Sequence, residues 1–281
     1  MKYQGITIPK FTENNINEDN VLCVENCIAV SDGAGGTGVF ADKWSKYLLD
    51  HLPTDKYFAS FREFDDWIDS IWEDFFNEYE KKADVDHVLL RKFWDEGSCA
   101  TLAAIWKCED RFFCWIRYGD SVPFCYNIKT KRLQYARMNL AHFSHPPHLI
   151  NCKEPLVKHG FLQGDFYADE NEVIFFVASD ALSHYLLMMY QLLSDLNFNL
   201  ELNEVRKAFN TNSQLLMAAE KWVKDDADSS KKDYWKDVLK PLVCAASSED
   251  TFREHLKLLH SQNLLDIDDY SFAYLTNLKF E

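Results

Sequence analysis

The sequence predicts an α+β fold built in layers, antiparallel sheet covered by helices, and three observations carry that expectation. Strand-length apolar runs come in series, at 98–106, 111–118 and 122–128, separated only by Cys108-Glu109-Asp110 and Gly119-Asp120-Ser121, and read as consecutive antiparallel strands. Helical periodicity is gathered elsewhere, in blocks at 39–79 and 182–260. The strands are thus segregated from paired helices, unlike the strand–helix alternation that builds a parallel sheet.

The elements follow in order. Residues 21–31 (VLCVENCIAVS) are two short, β-branched-rich apolar pieces around Glu25-Asn26, the pattern of a hairpin. From 39 to 52, Val39, Phe40, Trp44, Tyr47, Leu48 and His51 recur at helical spacing. Ser60 and Glu63 form a capping box that opens a longer helix, with Phe61, Phe64, Trp67, Ile68, Ile71, Trp72, Phe75, Phe76 and Tyr79 on one face. Such an aromatic stripe is core packing. Residues 141–170, with Pro146, Pro147, Pro155, Gly160, Gly164 and little periodicity, read as a flap. Residues 172–179 (EVIFFVAS) are a buried strand ending on Asp180, and 270–278 are a last strand after Asp268-Asp269. Between them the extended helical segment 182–260 is interrupted by DDADSSKK at 225–232, a solvated loop. No internal repeat or long linker divides the chain, so a single domain over 1–281 is expected.

Composition narrows the functional classes. Hydrophobic residues make up 47% of 281, with 21 Phe, 13 Tyr and 8 Trp, which is ample for a sizeable core. A formal charge of −15 without any Lys or Arg run repels polyanions, so no nucleic-acid partner is expected. The start MKYQGITIPK has no apolar signal region, and no apolar stretch approaches the ~20 residues of a membrane span. The eight cysteines sit mostly in apolar strand-like runs, and the Cys23–Cys27 spacing is not that of a zinc pair. A reducing, cytoplasmic location without a membrane partner is the expectation.

Acidic residues recur where apolar strands begin or stop: Glu18-Asp19, Asp32, Asp120, Asp180 and Asp268-Asp269. Any one of them is an ordinary turn residue. If the strand ends converge on one rim, however, the carboxylates repel one another and need a cation. Oxygen donors without a matched Cys or His set select Mg²⁺ or Mn²⁺, and a carboxylate shared by two such ions supports hydrolysis at a phosphoryl group. The stretch SDGAGGTG at 31–38 places four glycines beside Asp32, where backbone oxygen and substrate approach without a Cβ in the way. A phosphate-binding loop is the rival reading. The stretch lacks the Lys-Ser/Thr of a P-loop and fits GxGxxG from no start, which leaves only an anion site at the helix that follows.

The blocks NED (17–19), SDGAGG (31–36), GSCA (97–100), YGDS (118–121), VASDAL (177–182) and DDYS (268–271) stand in an order that resembles the motif series of the metal-dependent serine/threonine protein phosphatases of type 2C, the PPM family. The resemblance spans roughly residues 5–278 and is closest to divergent members of bacterial type. It implies a four-layer α-β-β-α sandwich of two antiparallel sheets flanked by helices, with a dinuclear Mn²⁺ or Mg²⁺ centre at one end. Asp32 would bridge the two metals, Gly33 would offer its carbonyl, and Asp180 and Asp268 would complete the set. Glu18 would act through water with Asp19 beside it, Asp120 would help hold a third metal, and the flap at 141–170 would bear on substrate choice.

The sequence also departs from the family pattern. Asn14 stands where the phosphate-binding arginine is usual, and Lys10 is the nearest basic replacement. Ala34, Ala181, Cys99 and Asp269 replace a usual histidine, glycine, threonine and asparagine. These changes touch substrate affinity and rate more than the metal carboxylates. His142, His145 and His148, spaced by three in the proline-containing flap, read as solvated side chains rather than a transition-metal site. Ser31 and Ser179 have no His-Asp order to make either a nucleophile. The expected function is a metal-dependent phosphatase that removes phosphate from phosphoserine or phosphothreonine by a metal-activated water, its partner a phosphorylated protein and its state monomeric. A pseudophosphatase of the same fold, or an enzyme for a small phosphorylated metabolite, are the alternatives.

Overall fold

The computed structural model describes residues 1–12, 15–168, 172–224 and 232–278; Asn14 and nearly all of the expected loop at 225–232 lie outside the described residues. The chain opens with β1 (Lys2–Ile8) and continues into the expected hairpin, β2 (Asn20–Val24) and β3 (Cys27–Ser31), with Val24 opposite Cys27. Three helices follow, α1 (Ala41–Asp50), α2 (Phe61–Ala83) and α3 (His87–Glu96). Next come β4 (Cys99–Ala100), β5 (Leu102–Lys107), β6 (Phe112–Tyr118), β7 (Val122–Asn127), β8 (Arg132–Tyr135), β9 (Ile150–Asn151), β10 (Phe161–Tyr167) and β11 (Val173–Ala178). The chain then forms α4 (Asp180–Leu193), α5 (Asn199–Lys207) and α6 (Thr211–Lys224). A π-helical turn at Tyr234–Leu239 leads into α7 (Lys240–Ala245) and α8 (Glu249–Ser261), and β12 (Tyr270–Thr276) closes the fold.

Two five-stranded antiparallel sheets result, one in the order β1-β12-β11-β7-β8 and the other β10-β6-β5-β3-β2. Period-two alternation divides each strand between two apolar surroundings. In β11, Val173, Phe175 and Val177 meet Ile28, Val30, Ile105 and Phe113 of the other sheet, forming the layer between the sheets. Ile174, Phe176 and Ala178 face the opposite way, into a cluster with Leu182, Leu186, Leu239 and Phe252 of the helices after β11. Ala29, Ala104 and Ile116 likewise join Trp44, Phe64 and Phe75 of α1 and α2. Because both faces of these strands are buried, their sequences read as continuous apolar runs, and the layers are α-β-β-α as expected.

The structure extends the sequence reading in four places. The series at 98–128 is not one meander: β5 and β6 pair, but β7 pairs with β11 and β8 in the other sheet, so Gly119-Asp120-Ser121 carries the chain across the sandwich. Helix α3 adds a third member to the expected pair; Asp86 caps it by accepting from Val88 N at 2.7 Å, and it buries only Leu90 and Phe93, too short a stripe to show as periodicity. In the segment 141–170, residues 161–167 are β10, an edge strand paired with β6. The segment 182–260 packs on the first sheet through α4 to α8.

Local signals are obeyed with one variation. Ser60 Oγ accepts from Glu63 N at 3.2 Å, as the capping box requires, while Glu63 Oε2 accepts from Ala59 N at 3.2 Å, one residue before the position the box prescribes. All eight cysteines are free thiols. Among the described residues no helix is long and apolar enough to cross a membrane.

Candidate metal centre

The registers bring six chain ends to one end of the sandwich. Ile8 at the end of β1 lies opposite Tyr270 at the start of β12, Asn20 at the start of β2 opposite Ser31 at the end of β3, and Ala178 at the end of β11 opposite Val122 at the start of β7. The acidic residues read from the sequence sit on those ends or on the turns joining them.

Asp32 follows β3 directly and is anchored through its backbone. Its carbonyl accepts from Thr101 N at 2.8 Å, its own N–H donates to Thr101 Oγ1 at 3.3 Å, and that hydroxyl lies 2.8 Å from Ser121 Oγ. Gly33 then bridges to Ala100. The glycines here answer to close packing: a Cβ on Gly33 would lie 2.5 Å from the carbonyl oxygen of Glu18, and one on Gly35 would collide with the Glu18 carboxylate. Ser31 Oγ donates to Thr101 O at 2.7 Å, so it is a structural hydroxyl.

The remaining carboxylates are held by the other strand ends. Asp180 is the first residue of α4 and accepts from Ala181 N at 2.5 Å. Asp120 is buried in the turn between β6 and β7, where Gly119 adopts a φ of +100° that a side chain would strain. Glu18 N donates to Asp269 Oδ2 at 2.7 Å, and Ser45 Oγ donates to Glu18 O at 2.6 Å. Asp269 N donates to Asp268 Oδ1 at 2.8 Å.

Electrostatics show that these side chains share one region. Burial raises Asp32 well above the ordinary carboxyl range, and Asp19, Asp180, Asp120 and Asp268 raise it further. Asp180 is raised in the same way by burial and then by Asp268, Asp120 and Asp19. Asp19 is pushed up to about 8, first by burial and then by Asp268 and Asp269, with the Ser271 and Ser179 hydroxyls acting against the shift. Asp120 rises to about 6 through burial, opposed by its own backbone N–H and by Arg117. Glu18 and Asp268 are raised by burial, and for both of them Lys10 acts in the opposite sense. Lys10 thus lies near the rim, its backbone N–H donating to Asp269 Oδ1 at 2.8 Å.

A divalent cation is the natural complement of such a region. The donors are carboxylates and a carbonyl, hard oxygens only, and Asp19 Oδ2 is buried without a hydrogen-bond partner. The side chains are not drawn into a finished ligand set: among the described residues no three or more His, Cys, Asp or Glu groups converge to hold one ion. The chemistry of the donors fits Mg²⁺ or Mn²⁺; their present arrangement is that of repelling carboxylates.

Sequence reasoning gave too little weight to two residues here. Asp269 accepts from Lys10 N, from Asn15 Nδ2 at 2.9 Å and from Glu18 N, so it fastens the segment carrying Glu18 and Asp19 to the start of β12. Its place beside Asp268 made it look like a simple replacement. Arg117, also buried, gave no signal within an apolar strand.

No protein-family model matches the chain, and no curated protein does. Solved structures do match over nearly its full length. The catalytic domain of the serine/threonine protein phosphatase PstP, solved with two manganese ions, superposes with a TM-score of 0.51 at 13% identity, covering 97% of this chain and 96% of that one. The serine/threonine phosphatase Stp1 from Staphylococcus aureus gives 0.52 at 13% identity, with 99% and 95% covered. The S. agalactiae serine/threonine phosphatase gives 0.50 at 15% identity, with 98% of each chain covered. The layered sandwich of this chain is therefore the fold of the bacterial serine/threonine phosphatases of type 2C.

Proposed function

We propose that the chain is a metal-dependent phosphatase of the PPM family that hydrolyses phosphoserine and phosphothreonine in proteins. The observation that carries this reading is the gathering of Asp19, Asp32, Asp120, Asp180 and Asp268 at one end of the sandwich, each raised by burial and by at least one neighbouring carboxylate. Carboxylates in that state ionise together only when positive charge joins them. Asp32, the Gly33 carbonyl, Asp180 and Asp268 would hold two Mn²⁺ or Mg²⁺ ions, with Glu18 and Asp19 at their edge and Asp120 at a third site. When bound, such ions acidify a water and neutralise phosphoryl oxygens.

The chain's own groups complete the task. The backbone bonds from Thr101 fix the main chain at Asp32, and Asp269 fixes that at Glu18, so only side-chain rotation is left to bring these carboxylates onto a metal ion. Lys10, whose charge acts on Glu18 and Asp268, would be the cation for the phosphate in place of the arginine usual at position 14. Attack by water in line with the leaving serine or threonine oxygen needs no serine or cysteine nucleophile, which agrees with the structural bonding of Ser31.

A pseudophosphatase reading has one observation in its favour: the described carboxylates do not form a finished ligand set. The deciding experiment is phosphate release from p-nitrophenyl phosphate and from a phosphothreonine peptide in EDTA, Mg²⁺ and Mn²⁺, with Asp32→Ala and Asp180→Ala beside the unmodified protein. Metal-dependent turnover that falls by about a hundredfold or more in both variants, the loss of a principal charge-stabilising group, supports the phosphatase. Undiminished turnover in either variant sinks it, and absence of turnover with any metal in folded protein makes it a binding module. Turnover on the small ester with none on the peptide points to a phosphorylated metabolite.

A further inference from the structure

Beside the acidic rim lies a cavity of about 280 Å³ lined mainly by nitrogen-bearing side chains. Asp120 belongs to both, since it lines this cavity and also interacts with Asp32 and Asp180. The other charged side chain is Arg117, on β6, and four imidazoles complete the set: His142, His145, His148 and His159. Two separated stretches of the flap thus meet at one place, with the His148 and His159 rings 5.0 Å apart.

Arg117 is 8% exposed, and its fork is tied to neutral groups. Nη1 donates to Gly119 O at 2.5 Å and to Met138 Sδ at 3.5 Å, and Nη2 donates to Arg137 O at 2.8 Å. Nε is buried and has no partner among the described residues. Asp120 acts on Arg117 only through space, so the guanidinium charge is not consumed by a hydrogen-bonded carboxylate. A guanidinium whose charge no hydrogen-bonded carboxylate takes up, lining a cavity with four imidazole rings, is a setting for an oxyanion. The same lining argues against a transition-metal ion, because Arg117 repels a cation and no ligand triad is formed among the described residues.

We infer that this histidine- and arginine-lined cavity is a substrate subsite that receives an acidic group one or two residues from the phosphorylated side chain, and so selects acid-flanked phosphopeptides. The inference rests on the phosphatase reading for what occupies the rim. A carboxylate placed here would meet the Arg117 guanidinium and imidazole N–H donors, next to the candidate active site of an otherwise acidic chain of net charge −15. The four histidines are exposed, so removing them does not touch the core.

The test is equilibrium binding, read by fluorescence anisotropy, of two labelled peptides in which a hydrolysis-inert phosphonate replaces the phosphate. One carries aspartates beside the phosphonate and the other alanines, and both are measured with Mg²⁺ present. The expected result is that the unmodified protein binds the acidic peptide about tenfold more tightly, the worth of one charge-assisted contact. A variant carrying both His148→Ala and His159→Ala, with an unchanged thermal midpoint, is expected to lose most of that difference. Equal affinities in the unmodified protein, no measurable binding of either peptide, or a full preference kept by the variant would each overturn the inference. Because the readout is binding, a protein without turnover that still shows the His-dependent preference would fail the phosphatase reading and leave the subsite standing.

Discussion

At the scale of single residues, the carboxylates at the sheet ends bear on the stability of the metal-free chain and, on the proposed reading, on its chemistry. Asp19 at about 8 and Asp120 at about 6 both lie above their ordinary 3.8. A carboxyl whose folded pKa exceeds its unfolded one holds its proton more tightly when folded. Its contribution to stability therefore falls as pH rises from the unfolded value through the folded one. In EDTA the protein is expected to melt at a higher temperature near about pH 5 than near about pH 9, and saturating Mn²⁺ should shrink the difference by supplying the missing charge. Thermal melts at the two pH values, with and without metal, measure this; a metal-free midpoint that rises across the window would contradict it. The aspartates themselves were legible in the sequence because each interrupts an apolar run. Arg117 was not, since an arginine inside RFFCWIRY reads as one outward residue of a strand, and only the fold shows it buried with an idle Nε.

At the scale of elements, the segment carrying Glu18 and Asp19 has no regular structure of its own, because it lies between β1 and β2. What fixes it is Asp269, which receives Lys10 N, Asn15 Nδ2 and Glu18 N at 2.7–2.9 Å while itself only 4% exposed. Asp269→Ala would strand these donors and is expected to cost about 2–4 kcal/mol, the worth of losing several bonds to a buried charged acceptor. Asp269→Asn, which keeps one carbonyl oxygen, should cost less. Urea titrations of the three proteins check the order, and an alanine variant as stable as the parent would show that the segment is held in some other way. The strong elements were plain in the sequence: the hairpin at Glu25-Asn26, the cap at Ser60, and the buried strand before Asp180. The ones that escaped share a physical trait. β1 and β10 are edge strands with exposed positions, and α3 buries two residues, so none carries enough apolar periodicity to register.

At the scale of the whole molecule, the layering places the core and the site at separable positions. Phe113 and Phe175 stack with ring centres 3.8 Å apart between the two sheets, each about 1% exposed, and tie the sandwich together through opposite sheets. The sequence could show that these strands are buried but not how they are divided, because the crossing at Gly119-Asp120-Ser121 looks like any hairpin turn. That crossing puts Asp120 on the rim, and it leaves Phe175 three residues back from the end of β11, about 10 Å along the strand. Phe175→Ala removes a large buried ring and is expected to cost about 3–5 kcal/mol. Mn²⁺ stabilises only by binding the folded state, so its increment depends on metal affinity at the rim and not on the size of the core. Changes at independent sites add. Urea titrations of the parent, Phe175→Ala and Asp32→Ala, each in EDTA and in Mn²⁺, therefore have a definite expected pattern: the Phe175→Ala loss is the same in both conditions, while Asp32→Ala removes most of the metal increment. If Phe175→Ala also erased the increment, the rim would have to be built by the packing between the sheets rather than by the strand ends and their backbone anchors, and the assignment of Thr101 and Asp269 as its supports would fall.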